Sequence, residues 1–163
     1  VVGGTRATQL LSEPLERKRR PQVSIDGKYS IPFTTAVMMV KGSVRLLDYT
    51  DEGLQDPAVL AMADRVSYRA EGEFPDVVGG SSAVSRPAVE IRTKHGTIHS
   101  RRVKHLPGDP KEPVQWEFLE AKFRDCVAFS DQRVALGQVE RAIRAIRELE
   151  QASDVTDIVR LLA

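Results

Sequence analysis

Residues 88 to 103 constrain the fold most. "AVEIRT" and "TIHSRRV" alternate apolar and polar side chains on either side of "KHG". Period-two alternation around a short glycine-containing turn is the pattern of a β-hairpin. A further strand-like run, "VSYRA" at 66 to 70, sets Val66, Tyr68 and Ala70 on one side. The other segments with a clear period read as helix. Strands gathered in the middle of the chain, with helices before and after, argue an α+β fold: a small antiparallel sheet, the hairpin plus a further strand, covered by helices.

The helical segments have legible ends. Ala7, Leu10 and Leu11 share a helical face before Pro14 ends that run, and Arg17, Lys18, Arg19 and Arg20 then form a basic loop into Pro21. Within "SIDGKYSIPFTTAVMMVKG", Asp26-Gly27 reads as a turn and Pro32 as first-turn chemistry. The apolar run through Ala36, Val37, Met39 and Val40 to Gly42 predicts a helix buried nearly all round. Thr50 can cap a short helix, and Asp56 with Pro57 starts another whose apolar face is Val59, Leu60, Ala63 and Val66. Residues 71–87, rich in Gly, Ser and Pro, read as a loop, and "KHLPGDPKEP" as a broken connection. In the helical last third, residues 114–163, Trp116, Leu119, Phe123, Cys126 and Val127 form one stripe. Val139, Ala142, Ile143, Ile146 and Leu149 form a second after a cap at Ser130 or Asp131, and Ser153 or Asp154 opens a short final helix.

Composition excludes several classes of function. At 163 residues the chain is long enough for one domain with a real core. Its 24 basic against 23 acidic residues give a net charge of +1, so no global field draws it to nucleic acid or to an anionic membrane. No apolar run approaches the roughly 20 residues of a membrane span. One cysteine and no signal-peptide pattern make a reducing, cytoplasmic setting the expectation. The start, "VVGGTRATQLL", lacks an initiator Met, as would a piece of a larger protein or a processed chain.

Few residues point to chemistry. His95, His99 and His105 lie on the hairpin and its exit, with no Cys or carboxylate pair at ligand spacing beside them, so no metal site is expected. Cys126 falls on the apolar stripe, the setting of an inert buried thiol. "VVGGSS" at 77 to 82 has neither the Lys nor the following helix of a phosphate loop. The run RKRR at 17 to 20 reads as solvated charge or as a local trap for carboxylates, since an Arg fork matches a carboxylate. "DGKYSIPF", residues 26 to 33, sets Lys28, Tyr29 and Ser30 at the mouth of the apolar helix. There a helix N-terminus, an ammonium and two hydroxyls would favour a carboxylate. Ser30 could equally be a plain N-cap, with Lys28 in solvent and Tyr29 at a rim.

The blocks "RKRRPQVSIDGKYSIPFTTAVMMVKGSV", "LDYTDEGLQDPAVLAMADRV", "PAVEIRTKHGTIHSRRV", "PGDPKEPV" and "EFLEAKFRDCV", in this order over nearly the whole chain, resemble the C-terminal portion of the MmgE/PrpD family. Its members include 2-methylcitrate dehydratase, cis-aconitate decarboxylase and iminodisuccinate epimerase. The resemblance implies acid–base chemistry on small polycarboxylates, without metal or organic cofactor. It also implies a homodimer and an all-helical N-terminal domain that carries the main Asp, His and Lys set and is missing here. Residues 1–163 would then be the single α+β C-terminal domain, inactive by itself. Lys28, Tyr29 and Ser30 look like its contribution to the interdomain cleft. Some dehydratase members carry a His and different neighbours where this chain has Tyr29-Ser30, so the resemblance does not fix the substrate. Arg19 and Arg20 are carboxylate clamps by charge and proximity in sequence alone. The rival expectation is a non-catalytic oligomerisation or binding module.

Overall fold

The computed structural model describes residues 1–4, 9–70, 85–105, 107–131 and 133–162. The chain divides into two compact units, Val1–Asp109 and Pro110–Ala163. In chain order the first holds β1 (Val2–Gly4), α1 (Leu15–Arg19), α2 (Ser24–Lys28), α3 (Ile31–Lys41), a 3-10 turn (Leu46–Tyr49), α4 (Asp51–Leu54), α5 (Pro57–Ala63), β2 (Arg69–Ala70), β3 (Ser85–Arg92) and β4 (Ile98–Arg102). The second holds α6 (Trp116–Phe129), α7 (Leu136–Arg147), a 3-10 turn (Leu149–Gln151) and α8 (Thr156–Arg160). The fold is α+β.

The core of the first unit is a helix pair. Ser30 caps α3 by accepting from the Phe33 amide at 3.1 Å, Pro32 sits in the first turn, and Gly42 ends the helix at φ 74°, a left-handed value that glycine takes without strain. Asp56 Oδ1 caps α5 by accepting from the amides of Ala58 at 2.9 Å and Val59 at 3.3 Å, with Pro57 as the first helical residue. Phe33, Ala36 and Val37 of α3 pack with Val59 and Ala63 of α5 and with Leu54, all essentially inaccessible to water. Full burial of a side chain such as Phe33 contributes about 1.5–3 kcal/mol. The tilted ring of Tyr49 closes this core, 6.2 Å from Phe33.

The sheet runs in the order β2-β1-β3-β4, with β1 parallel to β2 and the remaining pairs antiparallel. The hairpin forms as expected: Ala88 pairs with Arg102 and Arg92 with Ile98, and the turn closes through Gly96 at φ 86°. Strand β1 has no counterpart in the sequence reading. Three residues with two glycines carry no period, and their strand state comes only from pairing. The expected strand at 66 to 70 shrinks to Arg69–Ala70, because only these two residues face partners, Val2 and Gly3, on β1. Strand β3 begins at Ser85 rather than after the loop expected through Pro87. The register between β1 and β3 shifts between the pairs Val2↔Ala88 and Gly4↔Ser85, an irregular stretch where a residue without an N–H is tolerated. The rest of that loop, like Ala7, lies outside the described residues.

Several helix expectations change. The basic run is helical through Arg19, not a loop; cations can surround a helix when their partners lie on other segments. Asp26-Gly27 is not a turn but the middle of α2. A Cβ on Gly27 would stand 2.8 Å from Leu54 Cδ2 and 3.1 Å from Tyr49 Cδ1, so the glycine serves close approach. Helix α3 is buried on one face only, with Met38 and Met39 50% and 43% exposed. The α6 stripe is not core: Trp116 and Leu119 are nearly half exposed, Cys126 is exposed, and no residue of α6 is buried. A helical period reports that a face is apolar, not what covers it.

In the second unit α7 buries Val139, Ala142 and Ile143. It begins at Leu136, where Gln138 Oε1 accepts from the Ala135 amide at 3.1 Å, and not at Ser130 or Asp131. Arg124 forks onto Glu140 at 2.8 and 2.9 Å and joins α6 to α7.

Candidate functional site

The mouth of α3 is held by bonds reaching it from the basic helix α1. Lys18 Nζ donates to the Tyr29 carbonyl at 2.6 Å, and Ser30 Oγ donates in return to the Lys18 carbonyl. The Ile31 amide donates to the Leu11 carbonyl at 2.9 Å. The first amides of α3 are thereby used: Ile31 on Leu11, Phe33 on Ser30, and Pro32 has none. What the mouth offers a ligand is side-chain chemistry, not free backbone N–H groups. Lys28, the last residue of α2, is exposed and has no polar partner among the described residues. Tyr29 is 58% exposed, whereas Ser30 is 2% exposed with both its hydrogen bonds made inside the protein.

The two arginines are placed differently from the triplet. Arg19 is half-buried and lays Nε and Nη2 on the Val66 carbonyl at 3.0 and 2.6 Å, tying α1 to the end of α5. It also lies 3.6 Å from Glu16. Arg20 Nη2 pairs with Asp64 Oδ2 at 2.5 Å, and Arg17 meets Asp26 at 3.4 Å. Each cation of the run RKRR therefore has a partner within the first unit. Lys28 and Tyr29 are the site residues whose polar side-chain atoms lack one among the described residues, and Ser30 and Arg19 hold the segments on which those two stand.

The opposite end of α3 has inverse chemistry that the sequence did not announce. Lys41 Nζ bridges Asp48 at 2.8 Å and Asp56 at 3.1 Å, and the buried Asp48 also accepts from the Arg45 amide at 2.7 Å. Hydrogen bonding to Asp48 holds the Lys41 ammonium above its usual range, and the bond from Lys41 holds Asp56 below the usual carboxylate range. Beside them lies a cavity of about 650 Å³ lined by Asp51, Glu52 and Gln55 as well as this triad. Its acidic lining repels anions, in contrast with the Lys28 end of the helix. Among the described residues no three His, Cys, Asp or Glu side chains are placed to hold a metal ion. No described helix is long and apolar enough to cross a membrane.

No curated protein matches the chain. Residues 5–151 match the family model described as the MmgE/PrpD C-terminal domain.

Proposed function

Because the chain belongs to the MmgE/PrpD family, we propose that it is the C-terminal domain of a lyase or isomerase acting on small polycarboxylates, such as a 2-methylcitrate dehydratase. In this reading it closes a cleft whose main acid and base groups stand on an all-helical N-terminal domain. Lys28 gathers a substrate carboxylate, and Tyr29 donates a hydrogen bond or relays a proton. Ser30 and Arg19 fix the backbone beneath them, and Arg20 is the reserve cation if Asp64 releases it. The chemistry is proton transfer at a carbon next to a carboxylate, without metal or organic cofactor, in a cytoplasmic homodimer. The observation that carries the reading is an unpartnered ammonium and an exposed phenol on a mouth fixed by reciprocal hydrogen bonds. Such a frame fixes the backbone from which the two side chains reach a substrate, one part of the positioning that makes proton transfer fast.

The test is kinetic. The full-length protein is assayed with 2-methylcitrate, cis-aconitate and related acids, alongside the 163-residue chain. The short chain should be inactive. Lys28→Ala in the full-length protein should lower kcat/KM by about tenfold or more, the loss of one charge-assisted contact. Unchanged kinetics remove Lys28 from the site. A second reading rests on α6, whose Phe118 and Phe129, on one side of the helix, are 65% and 45% exposed: a non-catalytic module that associates through this side. Inactivity of the full-length protein on every acid, with a dimer that Phe118→Glu dissociates, would favour it.

A further inference from the structure

The first unit contains a second concave surface, lined mostly by residues far along the chain from the Lys28 mouth. The root of the hairpin is packed, since Val2 and its pairing partner Ala88 are each 3% exposed. Farther along, β4 is exposed at every residue. The overhang leaves a groove of about 560 Å³ bounded by α3, the end of α5 and the hairpin. This volume lies within the usual range for small-molecule sites. Met39, Met62, Val66 and Ile98 give the groove apolar walls. Met62 and Val66 are backed by the core, while Met39 and Ile98 are 43% and 56% exposed. Arg65, Arg92 and Lys94 also line it, and their side chains have no partner among the described residues. Its one carboxylate, Glu90, is already paired with Arg69 at 3.4 Å.

We infer that this groove binds a small amphiphilic anion, with an aliphatic body against Met39, Met62 and Ile98 and a carboxylate or similar head on Arg92 and its neighbouring cations. Charge complementarity selects the occupant. Three unpaired cations beside an apolar wall disfavour a second copy of the same surface and any cationic or wholly apolar guest. Arg92 and Ile98 are cross-strand partners, so the anchoring charge and an apolar contact share one face of the hairpin. A compact polycarboxylate of the kind proposed above has no body to place against methionines, so this is a separate ligand class and not a second mode for the same one.

The experiment uses the ¹⁵N-labelled chain titrated with sodium decanoate, followed by amide shifts. Saturable shifts confined to the α3, α5 and hairpin residues of the groove are expected, with a Kd of about 1 mM or tighter. Arg92→Glu should weaken binding about tenfold, whereas Arg133→Glu in the second unit should leave it unchanged. Ile98→Trp, at an exposed strand position, should fill the groove and abolish the shifts while the rest of the spectrum stays in place. Absence of saturable shifts, shifts spread over the α6 face, or indifference to both Arg92→Glu and Ile98→Trp would overturn the assignment. Citrate supplies the remaining arm: if it saturates this groove and displaces decanoate, the amphiphile class is wrong. If citrate shifts only the Lys28 mouth, or binds nowhere on this chain, the groove assignment stands, and the polycarboxylate reading is decided separately by the kinetics of the full-length protein.

Discussion

Ser30→Ala separates a framework serine from one whose hydroxyl is available to a ligand. Ser30 Oγ accepts from the Phe33 amide at 3.1 Å and donates to the Lys18 carbonyl, and the residue is 2% exposed. Losing an N-cap costs about 1 kcal/mol. Leaving the Lys18 carbonyl without its donor adds about 1 kcal/mol, the low end for an unsatisfied polar group, because the site is only partly buried. The expected loss is about 2 kcal/mol, or roughly a thirtyfold change in the folding equilibrium. Urea denaturation followed by far-UV circular dichroism reads it directly. Because the chain has two units that need not unfold together, hydrogen exchange at the Val37 amide, buried in α3, supplies a local reading. Exchange there should quicken by about the same thirtyfold factor. A stability change below about 0.5 kcal/mol with unaltered Val37 exchange would refute the reasoning, since neither bond would then matter to the fold.

Gly27→Ala should destabilise by about 1 kcal/mol despite alanine's better helix propensity, because the clash with Leu54 and Tyr49 outweighs a gain of similar size; a raised urea midpoint would mean the neighbours yield freely. Trp116→Ala should cost about 1–2 kcal/mol, below the 3–5 of a core tryptophan, since the ring is 45% exposed and covered on one side by Arg147 at 5.4 Å. A larger loss in thermal unfolding would mean that the stripe is core. Asp56, held below its ordinary value of 3.8, contributes stability that is fully present above that pH and lost as pH falls through its lower folded value. The stability gap between the natural chain and Asp56→Asn should therefore be constant near neutrality and shrink as pH falls below about 4; a gap with no pH dependence anywhere in the acid range would place Asp56 outside the Lys41 bridge.

Local backbone chemistry was legible wherever a residue acts on its own chain. Ser30, Pro32 and Gly42 bracket α3, Asp56-Pro57 opens α5, and Thr93, Gly96 and Thr97 close the hairpin, each through bonds within a few residues. What the sequence misread depends on partners far along the chain. Arg19 lays its fork on Val66, 47 residues away, and Gly27 is a glycine because Leu54 lies against it. Burial was misjudged in the same way: the periods of α3 and α6 name apolar faces, and only packing reveals that Met38 and Trp116 remain half open.

The two ends of α3 together argue for where a polycarboxylate would dock. Eleven residues carry the chain from a mouth whose Lys28 ammonium has no partner among the described residues to an end ringed by Asp48, Asp51, Glu52 and Asp56. The helix dipole adds to this contrast, positive at Ile31 and negative at Lys41. Lys41 cancels part of the acidic charge by bridging Asp48 and Asp56, and is itself unavailable as an anion ligand while it does so. Deleting Lys41 would sharpen the polarity and deepen the repulsion at that end. Deleting Lys28 would weaken the attraction at the other, where the Lys18 ammonium stays on the Tyr29 carbonyl. If polycarboxylate affinity of the full-length protein follows Lys28 and ignores Lys41, the direction of approach is set by the mouth itself. If both substitutions weaken binding alike, the field of the whole helix guides the substrate and the mouth adds no contact of its own.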